Sequence, residues 1–217
     1  MDLTPQRIAE GLTFYVVLLF SLSVHESAHA WAALKNGDDT AAREGRISLN
    51  PLVHIDPIGT VLIPLAQIFW GGIPLLGWAK PTPVFAGHFR RLARGHILVA
   101  GAGPASNFLL AFLFTAALSV VRRMGLAPEI GGPLSMVLGR AVVLNVALAL
   151  FNLIPLPPLD GSWIASWGLP RSIAEHYDRI AEPYGQWILM GLFFTGALSW
   201  ILAPFMSVIL AVLSLFT

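Results

Sequence analysis

His25, Glu26 and His29, in the run His-Glu-Ser-Ala-His, set two imidazoles and a carboxylate within five residues of one another. On a helix, residues four apart lie about 40° from each other around the axis, so both imidazoles project from one face. Held that way they can share one zinc ion, and the glutamate between them can act as general base toward a metal-bound water. Chance also produces this short pattern in soluble proteins, so its surroundings decide how much it means. It lies in an apolar run from Leu12 to Leu34, about long enough to cross the ~30 Å hydrocarbon core of a bilayer. An ionisable side chain at that depth costs kilocalories, and three together call for a function. The bland alternative is a pair of satisfied histidines at a helix end near the membrane interface.

The composition puts the chain in lipid. Of its 217 residues 56% are hydrophobic and 12% charged, with a mean hydropathy of +0.72, well away from a soluble globular protein. A net charge of +1 gives no electrostatic reason for a nucleic-acid partner. The absence of cysteine excludes disulfides and thiolate metal sites, so any zinc must use His, Asp or Glu. Arg7 ahead of an apolar stretch, with small residues near Ala30, superficially resembles a signal peptide. Cleavage there would discard the His-Glu-x-x-His segment, so a retained helix is expected.

The elements that must position these residues are apolar segments separated by short polar loops. The first helix is expected over roughly Arg7 to Leu34. Lys35 to Asn50 is polar, with Gly37 and Gly45 as turn signals and Arg46-Ile-Ser-Leu-Asn50 as a short strand. Ile58 to Trp78 is apolar but contains Pro64, Gly71, Gly72 and Pro74. His96 to Val121 and Leu134 to Leu156 are spanning candidates, and Asp160 to Leu169 is too short to span. Gln186 to Thr217 is apolar throughout and interrupted at Pro204, hence one kinked helix or a hairpin. No repeat or low-complexity stretch is present. The expected fold is an all-α integral membrane protein, a polytopic helical bundle with a re-entrant segment and a small β element after the first helix. It forms a single membrane-embedded domain over 1–217, with its functional core at about 8–169 and the C-terminal helix or hairpin at 185–217.

A zinc site of this kind needs a third protein ligand and an open position for water. Of twelve Asp and Glu residues nearly all lie in loops or near the termini; besides Glu26, the one best placed at membrane depth is Asp160. It ends the stretch Asn152-Leu-Ile-Pro-Leu-Pro-Pro-Leu-Asp160, whose three prolines remove amide donors and prevent a regular helix. Broken backbone at membrane depth is tolerated where it lines a buried or wet cavity. Capping of the following short helix is the simpler role for Asp160, but it does not explain so many helix breakers beside a carboxylate.

Together these residues resemble the site-2 protease family of intramembrane zinc metalloproteases. The resemblance rests on His25-Glu-Ser-Ala-His29, the stretch Gly45 to Gly59, Gly77-Trp-Ala-Lys-Pro81, Ala102-Gly-Pro-Ala-Ser-Asn107 and the stretch Asn152 to Gly161, in the family's order. It covers most of the chain up to about Trp163 and implies that His25, His29 and Asp160 hold one zinc ion while Glu26 activates the water. The implied reaction is hydrolysis of a peptide bond within or near a transmembrane segment of a membrane-protein substrate. The likeness is to compact prokaryotic members without a PDZ or CBS domain, and it implies a multi-pass protein of the cell membrane.

Topology supplies a check independent of that resemblance. For one metal to bind His25, His29 and Asp160, the end of the first helix and the end of the Leu134 to Leu156 helix must share a side of the membrane. That requires Ile58 to Trp78 to enter and return. With a re-entrant segment, one side holds nine basic residues (Lys35, Arg43, Arg46, Lys80, Arg90, Arg91, Arg94, Arg171, Arg179) against four (Arg7, Arg122, Arg123, Arg140) on the other. With a spanning segment the split is six to seven. Positive charge collects on the cytoplasmic side, so the re-entrant arrangement is expected, with the site facing that side.

The remaining assignments are finer. Asn152 is expected to donate to the oxyanion, since Asn145 lies two turns earlier on the same helix face; a plain interhelical hydrogen bond is its competing role. His54 sits where the chain re-enters and either lines the substrate path or fixes the loop. The strand around Ser48 offers unpaired edge groups to an extended substrate, with an ordinary solvated loop as the other reading. Gly101, Gly103, Pro104 and Asn107 are expected to allow close helix packing, with a buried amide joining helices. His88, His96 and His176 are expected at the interface rather than on a metal. Two rival functions are an ion or proton transporter using the buried His, Glu and Asp, for which inverted repeats are missing, and a catalytically inactive membrane-protein binder, which the retention of Glu26 argues against.

Overall fold

The computed structural model describes residues 4–70 and 77–217. Helices dominate: α1 (Pro5–Asn36), α2 (Thr40–Arg43), α3 (Ile63–Trp70), α4 (Leu92–Arg123), α5 (Pro128–Asn152), α6 (Asp160–Gly168), α7 (Arg171–Phe194) and α8 (Ala197–Ser214). Segments of α1, α4, α5 and α8 are long and apolar enough to cross a membrane. These helices pack α1 and α5 against α4, with α6 closing over one end. Small residues set the closeness of approach at the centre, where Ala30, Ala33, Ala111, Ala141, Val146 and Ala149 are almost fully buried.

The two described ends of the segment after the first helix are tied side by side by hydrogen bonds. Pro57–Leu62 forms a π-helical turn capped by Asp56 and continues into α3. At about 1.5 Å per residue this piece is too short to cross ~30 Å of hydrocarbon. Beyond it, Trp78 N donates to Gly59 O at 3.2 Å and Thr60 Oγ1 donates to Trp78 O at 2.8 Å, so residue 78 lies beside the π-helical turn. Gly71, Gly72 and Pro74, read in the sequence as breakers, lie outside the described residues. Arg90 N donates to Asn36 O at 2.9 Å, which puts the end of α1 next to the start of α4.

One expectation needs correction. The β element at Arg46 to Asn50 is absent, and no strand occurs among the described residues. A lone alternating run has no partner edge, and side chains satisfy its neighbourhood instead. Arg46 Nη1 donates to Val53 O at 2.6 Å, the His54 ring donates through Nε2 to Ser48 O at 2.9 Å, and Asn50 Oδ1 accepts from Leu52 N. The result is a clamped loop leading into a 3-10 turn at Pro51–Val53, so the strand edge assigned to Ser48 is not available. The C-terminal region breaks at Gly196, in the left-handed region at φ 76°, and Pro204 lies inside α8. The preceding helix starts well before Gln186, at Arg171.

Candidate metal centre

The site is built where α1, α4 and the start of α6 meet. His25 and His29 are buried on one face of α1, as four-residue spacing requires. Asp160 opens α6 immediately after the Pro155 to Pro158 break, whose irregular backbone allows the chain to turn back over the end of α5. The three donor atoms converge: His25 Nε2 to His29 Nε2 is 3.0 Å, His25 Nε2 to Asp160 Oδ2 is 3.2 Å, and His29 Nε2 to Asp160 Oδ2 is 3.4 Å.

Hydrogen bonds behind the rings determine which nitrogen faces inward. Ala141 O can only accept, so Asn145 must point Nδ2 toward it, which it does at 2.9 Å. Asn145 Oδ1 therefore faces Asn107 and accepts from its Nδ2 at 2.9 Å, leaving Asn107 Oδ1 to accept from His25 Nδ1 at 2.6 Å. Asn145 Nδ2 also reaches Ser21 Oγ at 2.9 Å, closing a buried polar chain through α1, α4 and α5. His29 Nδ1 donates to Val99 O at 2.7 Å. With a proton on each Nδ1, both Nε2 atoms carry lone pairs whenever the imidazoles are neutral, the form that ligates a metal. They face Asp160 Oδ2, a buried oxygen with no hydrogen-bond partner among the described residues.

Three acceptors this close repel one another unless a cation lies among them. Zinc bonds of about 2.0–2.1 Å to imidazole and carboxylate imply ligand–ligand edges of about 3.3 Å in a tetrahedron. The observed separations bracket that value, and the donor set suits zinc. Gly103 on α4 completes the cradle, because a Cβ there would sit 2.5 Å from His25 Cε1 and Nε2 and closer still to His29 Nε2.

Beside these atoms is a cavity of about 580 Å³, with Glu26, Thr82, Asn152 and Trp163 on its walls and apolar side chains such as Leu22, Leu148 and Phe151 between them. Glu26 Oε2 accepts from Thr82 N at 2.9 Å and from Thr82 Oγ1 at 2.8 Å. Asn152 reaches the same cavity, with Nδ2 donating to Leu148 O of its own helix at 3.0 Å. His54 is 2% exposed and is not among the residues lining the cavity; its ring holds the loop at Ser48 and its carbonyl accepts from Lys80 N. Asn107 joins helices, as expected for a buried amide. His96 lies on the cavity wall, stacked at 4.3 Å on Trp167 and at 5.3 Å on Trp163.

Outside the membrane-spanning segments, Asp38 is a buried carboxylate whose titration is displaced. Burial pushes it up, but donors from Thr40, the Phe85 amide and His88 outweigh that and hold it below the ordinary 3.8. It anchors the segment that carries Thr82. Neither Thr82 nor Asp38 was singled out in the sequence; the Pro-Thr-Pro run at 81–83 was the available signal for the first.

Comparison with known proteins adds an independent line. Residues 120–195 match the profile of peptidase family M50. The Bacillus subtilis (strain 168) protein named "Putative zinc metalloprotease YwhC" is 38% identical over 194 residues, covering 88% of this chain and 84% of that protein. The similarly named Rip2 of Mycolicibacterium smegmatis is 31% identical over 83% of this chain and 66% of its own length. Rip2 of Mycobacterium tuberculosis is 33% identical over 73% of this chain and 59% of its own. The chain thus spans about two thirds or less of these mycobacterial relatives. No solved structure matches it.

Proposed function

Since the chain belongs to peptidase family M50, the site-2 protease family of zinc metalloproteases, we propose that it hydrolyses peptide bonds within or beside the transmembrane segments of membrane-protein substrates. The observation that carries this reading is the convergence of three buried acceptor atoms next to a glutamate, on a helix suited to crossing a bilayer. His25, His29 and Asp160 are the proposed zinc ligands. Zinc held there supplies Lewis acidity and a bound water whose pKa falls from about 15.7 toward about 7.

Glu26 takes the proton of the attacking water and returns it to the leaving amine. Asn152, on the cavity wall, donates through Nδ2 to the oxygen that gains charge as the carbonyl becomes tetrahedral. The apolar walls exclude bulk water and accept the side chains of an unwound transmembrane segment. A helical peptide bond is shielded by side chains and its carbonyl is already hydrogen-bonded, so the substrate must reach the site locally unwound. The nine-to-four charge distribution supports a site open toward the cytoplasmic side.

The test is purified protein in detergent or vesicles with zinc and a single-span substrate, comparing wild type with Glu26→Gln. Wild type should carry about one zinc per chain and cleave; Glu26→Gln should keep the metal and lose hydrolysis, since the glutamate is a base and not a ligand. Full metal retention in Asp160→Ala would remove the aspartate from the ligand set. Asn152→Ala should lower kcat by about 10²–10³-fold, the usual effect of losing one oxyanion donor, with zinc content unchanged.

A further inference from the structure

An α-helix fixes the Cα–Cβ bond of Glu26 but leaves its carboxylate free to rotate about three side-chain bonds, while proton transfer needs a catalytic group held to within about 0.5 Å. In this chain the holding group comes from 56 residues away. Thr82 N and Thr82 Oγ1 both reach Glu26 Oε2, and Oγ1 also lies 3.0 Å from the Glu26 backbone oxygen. Among the described residues no donor reaches Oε1, so one carboxylate oxygen is held and the other is free.

The local sequence suits Thr82 to this task. Pro81 and Pro83 have no N–H, so the amide of Thr82 is the one backbone donor in the tripeptide, and it is directed to Glu26. Each proline also disfavours helical backbone at the residue before it, which keeps Lys80 and Thr82 out of a helix. The segment is braced on both sides of Thr82. Before it, Lys80 N donates to His54 O at 2.8 Å and Trp78 is tied to Gly59 and Thr60. After it, Phe85 N donates to Asp38 Oδ2 at 2.7 Å, and Asp38 is fully buried. The anchors therefore belong to the re-entrant segment on one side and to the turn leaving α1 on the other.

We propose that Thr82 is the positioning residue for the general base: its amide and hydroxyl clamp Glu26 Oε2 and present Oε1 to the proton of the attacking water. The proposal rests on the reading of Glu26 as base given above. It assigns a purpose to the donor-poor Pro81-Thr82-Pro83 strut and to its anchors at His54 and Asp38.

The experiment compares Thr82→Val, which keeps the β-branched shape and loses the hydroxyl, with Thr82→Ser, which keeps the hydroxyl. Each is purified full length, and zinc content, KM and kcat are measured on a single-span substrate. Thr82→Val should lower kcat by about 10–100-fold, the range for losing a hydrogen bond to a charged group, with KM and zinc content unchanged. Thr82→Ser should stay within about threefold of wild type. A wild-type kcat in Thr82→Val overturns the clamp, as does a Thr82→Ser variant as impaired as Thr82→Val, or a loss confined to KM or zinc content. If Thr82→Val does not fold, Thr82→Ala supplies the same comparison with the serine variant. The Glu26→Gln arm separates the two claims: activity there removes the base itself, whereas an inactive Glu26→Gln beside a fully active Thr82→Val removes only the clamp.

Discussion

Gly103→Ala adds one methyl group at the place where the His25 and His29 imidazoles meet α4, and its effect can be worked from the structure. The new Cβ would sit 2.5 Å from His25 Cε1 and Nε2, about 0.9 Å inside the 3.4 Å at which ordinary contact begins, and closer still to His29 Nε2. Neither ring can simply retreat. His25 is held from behind by Asn107 at 2.6 Å and His29 by Val99 O at 2.7 Å, so moving away breaks those bonds or shifts α4. A misplacement of about 1 Å in a catalytic constellation costs on the order of 10²-fold in rate. The expected result is a loss of about 100-fold or more in kcat/KM and weaker zinc retention against a competing chelator. Gly101→Ala is the matched control. It lies on the same helix with nothing within 4 Å of a built Cβ, and alanine is favoured over glycine in a helix by about 0.5–1 kcal/mol. That variant should be at least as stable as wild type and equally active. The assays are zinc per chain by mass spectrometry after graded chelator dialysis, and cleavage of a single-span substrate. Wild-type zinc affinity and cleavage in Gly103→Ala would refute the placement of the ligand atoms against α4.

Other outcomes follow from the same geometry. Asn107→Leu removes the acceptor that fixes the His25 tautomer and should weaken zinc binding about 10–100-fold in a chelator titration, whereas Asn107→Asp, which keeps an acceptor, should retain more of it. Single cysteines introduced at Asp39 and Arg91 of this cysteine-free chain should react with an impermeant reagent from the cytoplasmic side, and one at Glu129 from the opposite side. Opposite labelling of the first two would mean that the segment after α1 spans, and a shared metal site would then be impossible. Because Asp38 is held below its ordinary 3.8, its contribution to stability is present above that value and is lost as the pH falls through the folded value. Unfolding midpoints measured from about pH 5 down to about pH 3 should therefore fall less steeply in Asp38→Asn than in wild type.

What is local and repetitive could be read along the chain. Helical spacing set His25 and His29 on one face, proline spacing broke the chain before Asp160, and apolar run lengths marked α1, α4 and α5. Charge counting favoured the return of the segment after α1, because the distribution of Lys and Arg depends on which loops share a side and not on packing detail. Tertiary structure decided what depends on partners far along the chain. Arg46 to Asn50 alternates like a strand, yet no edge lies beside it among the described residues, so the side chains of His54 and Ser48 satisfy its backbone and it stays a loop. The C-terminal break fell at Gly196 because glycine tolerates the left-handed turn there, while Pro204 is accommodated within α8. The orientation of Asn107, and with it the His25 tautomer, traces back to a carbonyl at Ala141 on another helix. Thr82 meets Glu26 across 56 residues. Such contacts come from the complementarity of surfaces that fold together, and no periodicity along one segment carries that information.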